Sequence, residues 1–245
     1  MKRLFLLCMS VCMCAVIVGA QGGSAFGIKL GPSVGTQSWN SFERDPLFAY
    51  HVAAYVETYE EEAPFAIFAQ LGYHVRGSAL RGRLFTNIGN GQLFSLPTQE
   101  FRFNNIALIL GGKRKYAYGT GFNQLYYMFG VRGAYTVSTN LEAFAQFNQA
   151  NPASAIYPFP EGVQRFNYGV SIGGGFEFMF QELVGGFVEL SIHPDFSRQY
   201  EQPPLNNIVD PYTGERRSIP ERIVRNLSLD ISVGIRLIRK VVYID

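Results

Sequence analysis

Ser191 and His193 lie two residues apart in a segment that alternates apolar and polar side chains, so both project from one face of a strand. A hydroxyl beside an imidazole is the smallest pair that can carry out nucleophilic acyl transfer, the ring taking the proton as the hydroxyl attacks. No acid that would orient His193 can be picked out, so a lipid-modifying esterase or acyltransferase stands only as an alternative. Glu177 and Glu189 can approach across a hairpin. Paired carboxylates can serve as general acid and base, but without a cleft they read as ion-pair partners of Arg132 or Arg236. The three histidines, His51, His74 and His193, fall on separate strand segments with no second His or Cys at ligand spacing. Zinc needs three or four converging ligands, so no metal site is expected. Cys8, Cys12 and Cys14 all lie within the first 20 residues, which leaves the remaining chain without a thiolate nucleophile, thiolate ligand or disulfide. No catalytic residue, cofactor or metal is therefore expected, and the chain reads as a non-enzyme.

The first 20 residues have the form of a secretory signal. Lys2 and Arg3 precede an apolar run, and Val18, Gly19 and Ala20 stand ahead of Gln21 as a small-residue cleavage site. Removal of Lys2 and Arg3 with this segment leaves basic and acidic residues equal in number, so no nucleic-acid footprint is expected. Only 16% of the 245 residues are charged, well below the roughly 25% of a soluble domain, while 21 Phe and 14 Tyr are present. Beyond residue 20 no apolar run is long enough for a transmembrane helix.

Period-two alternation recurs instead. In one segment Phe65, Ile67, Ala69, Leu71, Tyr73 and Val75 share a face and Ala66, Phe68, Gln70, Gly72, His74 and Arg76 the other; residues 226–238 divide the same way. Six further segments, at about 25–36, 47–58, 101–113, 122–136, 166–180 and 185–193, give eight strands. Residues 141–149 could be a strand of their own, an extension of a hairpin or a turn of helix in the third long loop, and read as loop or hairpin extension. Short links (59–64, 114–121, 181–184) alternate with long ones (37–46, 77–100, 137–165, 194–225). Such alternation predicts an all-β, eight-stranded antiparallel up-and-down transmembrane β-barrel at residues 21–245, with short periplasmic turns and long outer loops.

Small residues mark the face that looks into the lumen: Gly27, Gly31, Ser33 and Gly35 on the first strand, and Gly169, Ser171, Gly173 and Gly175 on the sixth. The same reasoning places Lys29, His51, Glu57, His74, Arg76, Arg102, Arg132, Glu177, Glu189, Asp230 and Arg236 inside, where opposite charges pair and plug the barrel. A charge-lined pore is the competing arrangement. Aromatic residues near strand ends fit two interfacial girdles. Glu60, Glu61 and Glu62, and Lys113, Arg114 and Lys115, give the short turns fixed charges.

Several segments carry a resemblance. The runs Gly27-Ile28-Lys29-Leu30-Gly31, Asn105-Ile106-Ala107-Leu108-Ile109-Leu110, Phe129-Gly130-Val131-Arg132 and the closing stretch from Leu229 to Leu237 resemble the small outer-membrane β-barrel family of Bacteroidota, the PorT-like group. That resemblance implies an eight-stranded barrel and, by analogy with the better-known members, service in secretion or gliding machinery at the outer membrane. Leu237 stands where the family closes on an aromatic, and residues 239–245 continue beyond it, which points to a periplasmic tail. Together these features predict an exported outer-membrane barrel acting as a structural or interaction component. Its expected partners are outer-membrane lipid and periplasmic or secretion-complex proteins. The alternatives are a small outer-membrane channel, the Ser191–His193 enzyme and a soluble periplasmic lipocalin-like barrel.

Overall fold

The computed structural model describes residues 23–39, 44–60, 63–82, 84–86, 93–95, 98–119, 123–150, 157–209 and 214–240. Residues 1–22, where the sequence reads as a secretory signal, Glu61 and Glu62, and residues 241–245 lie outside them. Eight long strands form the wall: β1 (Gly23–Trp39), β2 (Asp45–Tyr59), β3 (Phe65–Leu80), β6 (Gln99–Ala117), β7 (Gln124–Thr139), β8 (Phe166–Gln181), β9 (Val184–Pro194) and β13 (Arg222–Arg239). Each is antiparallel to its neighbours in order, and β1 pairs with β13 from Ser24–Arg239 to Trp39–Val224, so the ring closes. The strand count is the one the sequence predicts, and the connections 81–98, 140–165 and 195–221 are long as expected. The first connection, expected long at 37–46, is only residues 40–44, because β1 and β2 run on into it, and is no longer than the link 60–64. At the closing seam the backbones nearly touch: a Cβ on Gly31 would sit 1.8 Å from the Ile231 carbonyl oxygen, which accounts for glycine there.

The outer surface is apolar. Ile28, Leu30, Ile67, Leu71, Phe129, Val131, Ile172, Leu190, Ile231 and Val233 are all exposed on the outward face. A wall of this size and character has no stable place in water and needs hydrocarbon around it, and a closed barrel leaves no unpaired strand edge for the lipid to meet. Two aromatic belts bound this zone. Phe65, Tyr116, Tyr118, Tyr127 and Phe180 ring the short-turn end, and Phe48, Tyr50, Tyr135, Phe166 and Tyr168 ring the long-loop end. Along β7, Tyr127 and Tyr135 are eight residues apart, about 27 Å of strand and, at a tilt of about 40°, about 20 Å of bilayer thickness.

Nearly all the strands are longer than that crossing needs. β6 runs 19 residues where about 10 suffice, and the excess stands beyond the long-loop belt as a folded cap. There β10 (Tyr200–Gln202) pairs with the extension of β13. Two hairpins, β4 (Leu84–Thr86) with β5 (Leu93–Ser95) and β11 (Leu205–Val209) with β12 (Arg216–Ile219), belong to the long connections. Residues 141–149 are neither strand nor hairpin extension: of the readings open for them the helical one holds, as helix α1 (Glu142–Ala150) within the third long connection. The inward residues Leu141, Phe144 and Asn148 follow a spacing of three and four, not two. Phe144 packs on Phe101 and Tyr157, ring centroids 5.0 Å from each.

Candidate functional site

The lumen is filled in tiers. At the short-turn end, strand alternation turns Lys29 of β1, Glu57 of β2, Lys113 and Lys115 of β6, Glu177 of β8, Glu189 of β9 and Arg236 of β13 inward, and all are buried. Glu57 accepts from Lys115 Nζ at 2.7 Å, Lys113 Nζ at 2.8 Å and Arg236 Nη2 at 2.9 Å. Glu177 takes Arg236 Nη1 at 2.7 Å, Lys115 at 3.2 Å and Lys113 at 3.4 Å. Glu189 pairs with Lys29 and accepts the Tyr126 hydroxyl at 2.7 Å. Four cations thus meet three carboxylates. The surplus positive charge is met in part by aromatic faces, with Lys113 Nζ 4.5 Å from the Tyr126 ring centroid and 5.2 Å from that of Tyr55.

The middle tier is built on Asp230. Ser33 donates to its Oδ1 at 2.6 Å, while its Oδ2 faces His193 Nε2 at 3.2 Å, His74 Nδ1 at 3.3 Å and His51 Nδ1 at 3.7 Å. The outer nitrogens of two rings are held by hydroxyls: His51 Nε2 lies 2.9 Å from Ser232 Oγ and His193 Nδ1 lies 2.8 Å from Ser171 Oγ. The three histidines, on separate strands in sequence, therefore meet in space. Even so, among the described residues no group of three or more His, Asp or Glu side chains has the arrangement of a metal site.

In the third tier Asp195 binds Arg76 at 3.3 Å and Arg132, and accepts from Asn226 Nδ2 at 3.1 Å. Gln37 Nε2 donates to Asn226 Oδ1 at 2.8 Å and Ser78 Oγ to Gln37 Oε1 at 2.7 Å, extending the network across β1 and β3. Above it lies an apolar core of Phe101, Phe103, Leu141 and Tyr157. Arg44 stacks between Trp39 and Phe101, 4.5 and 4.6 Å from their ring centroids. Tyr200 accepts the Phe159 N–H at 2.8 Å and donates to Gln202 at 2.9 Å; burial pushes its phenol up to about 12.

Among the described residues, the side chains of these tiers occupy the lumen between the short-turn mouth and the cap. A cavity of about 540 Å³, lined by Tyr59, Gln124, Met179, Gln181, Arg236 and Ile238, opens at the short-turn mouth. Just inside, the space between Lys29, Tyr55, Lys113 and Glu189 falls to about 10 Å³, roughly the room for one water.

Ten of the eleven ionisable residues expected inside are inside. Arg102 is the exception: it faces outward beside Glu100, because above the long-loop belt the apolar side chains Phe101 and Phe103 take the interior. Lys113 and Lys115 are also not turn charges but lumen residues; only Arg114 between them is exposed. Arg132 pairs with Asp195, a residue that reads as loop in the sequence, and not with Glu177 or Glu189. Both glutamates are held by cations and carry no acid–base pair. Ser191 and His193 do touch, Oγ to Nε2 at 3.1 Å. That same nitrogen faces Asp230 and Nδ1 is taken by Ser171, so for Ser191 as nucleophile the acid does not orient the ring from behind as a triad requires.

No protein-family model matches the chain, and no curated protein matches it. Solved structures do. The outer membrane protein OprG from Pseudomonas aeruginosa aligns with 10% identity over 88% of this chain and 96% of its own, at a TM-score of 0.50. The fold is that of an outer-membrane β-barrel. A major outer membrane protein from Thermus thermophilus is also similar, at 13% identity, 88% and 99% coverage and a TM-score of 0.43. On this fold the chain carries a tiered, filled lumen and a folded cap.

Proposed function

We propose that this chain is an outer-membrane protein that works as a structural or interaction component, with its cap outside the cell and its short turns in the periplasm. The carrying observation is the filled lumen, in which seven buried charged side chains from six strands pair with one another where a conduit would run. A barrel closed at such cost offers its ends and not its interior to other molecules. The described parts of the long connections fold into a cap, and function gathers on loops carried by a rigid scaffold. The resemblance to the PorT-like group makes a secretion or surface-assembly complex the partner class to test.

Two measurements test this. Planar-bilayer recordings of the purified barrel should show no steady conductance; ion-selective openings would replace the proposal with the channel alternative. Native mass of a tagged copy extracted from outer membranes in mild detergent should exceed that of a monomer, with periplasmic or secretion proteins in the assembly. A lone barrel would remove the interaction role.

A further inference from the structure

Basic residues are segregated by type along the barrel. Beyond residue 20 the lysines are Lys29, Lys113, Lys115 and Lys240, all in the short-turn half, whereas the cap and its rim carry only arginine. Arginine presents a planar fork of donors that grips phosphate in two-point fashion, which an ammonium cannot do. Some of these guanidiniums are committed elsewhere: Arg76 and Arg132 to Asp195, Arg44 to Trp39 and Phe101. Three others, Arg165, Arg198 and Arg225, are exposed on the outer wall.

Strand pairing places these three on adjoining segments of the wall. Val163 pairs antiparallel with Tyr200, which sets Arg165 opposite Arg198, and Tyr200 pairs with Val224, which places Arg225 on the adjoining strand. Backbone bonds from Gln164 N to the Gln199 carbonyl at 2.9 Å and from Gln199 N to the Val224 carbonyl at 2.8 Å fix this ladder. Glu201 partly offsets Arg198, bound at 2.7 Å. Directly on the membrane side lie Phe166, Tyr168 and Phe196, each more than half exposed, and Phe196 N donates to the Tyr168 carbonyl at 3.0 Å. A cationic row thus sits on an aromatic row at the level where the bilayer's apolar zone ends.

We propose that Arg165, Arg198 and Arg225, with Phe166, Tyr168 and Phe196 beneath them, bind the phosphorylated sugar headgroup of an outer-leaflet lipid, the guanidiniums clamping phosphate and the rings receiving the first segment of an acyl chain. The assignment of the cap to the outer leaflet rests on the outer-membrane location proposed above.

The test is native mass spectrometry of the full-length barrel in mild detergent, titrated with diphosphorylated lipid A. Wild type should retain the lipid, and an Arg165→Gln, Arg198→Gln, Arg225→Gln triple variant should bind at least tenfold more weakly. Substituting the same three positions by lysine should recover only part of the loss. Arg102→Gln, remote on β6, should bind as wild type, and the heat-modified gel shift of each variant confirms that it is folded. Equal binding by the triple glutamine variant, equal binding of fully dephosphorylated lipid A, or displacement by millimolar inorganic phosphate alone would overturn the site. Membrane fractionation of the same cells separates the two claims: binding by a chain found outside the outer membrane sinks the location, and loss of binding by a chain found in it sinks the lipid site.

Discussion

The two halves of the barrel close their interior by opposite means. In the membrane-spanning half the inside is a lattice of lysines, arginine and glutamates, and the outside is Ile, Leu, Val and Phe. In the cap the inside is Phe101, Phe103, Leu141 and Tyr157, and the outside carries Arg102, Arg198 and Glu201. Same strands, same period, reversed polarity: the change occurs where the surroundings change from hydrocarbon to water. What a wall encloses is set by what lies beyond it. Lipid outside removes the hydrophobic reason to bury apolar groups within, and water outside restores it.

This contrast can be broken one half at a time. Glu57→Ala should have the largest effect, because it leaves Lys113, Lys115 and Arg236 sharing Glu177 alone. A loss of about 5 kcal/mol is expected, at the upper end for a broken buried pair, read as a fall in the urea midpoint of the barrel in detergent. A change under about 1 kcal/mol would mean that the lattice does not hold this half. Phe101→Ala should cost about 3 kcal/mol through a cavity in the cap. Its signature should be faster proteolysis of the outer loops with the heat-modified gel shift intact; equal softening of both halves would deny the cap its separate core. Gly77→Ala, at the junction, should cost about 2 kcal/mol, since φ there is +152° and a Cβ would lie 1.8 Å from the Phe101 carbonyl oxygen. Arg198→Ala, on the exposed rim, should shift Tm in detergent hardly at all, about 0.5 kcal/mol or less. A large drop would show that the rim pair with Glu201 is structural.

The same reversal explains what the sequence can and cannot disclose. Within the bilayer, Phe65, Ile67 and Leu71 against Gln70, His74 and Arg76 reveal β3 and its inward face directly. On β6 the residues from Ile106 to Leu110 are all apolar, so parity there has no contrast, and the aromatic Phe101 and Phe103 mimic lipid-facing residues. Arg102 therefore reads as inward, and Lys113 and Lys115 read as turn charges although β6 runs on to Ala117. The meeting of His51, His74 and His193 on Asp230 depends on ring curvature and on register between non-adjacent strands, which linear spacing does not encode. One signal is present: Leu141, Phe144 and Asn148 fit a helical period over residues 142–150.

The closing seam joins the first strand to the last, and the ion lattice draws on every wall strand except β3 and β7. Lys29 needs Glu189, which lies 160 residues further along the chain, and Arg236 finds Glu57 and Glu177 only when β13 has arrived. A half-built sheet would carry bare ammonium and carboxylate groups into hydrocarbon at several kcal/mol apiece. Each half of the chain thus holds counter-ions for the other, and removing β13 would strip Glu57 and Glu177 of Arg236 and open the seam against β1 in the same stroke.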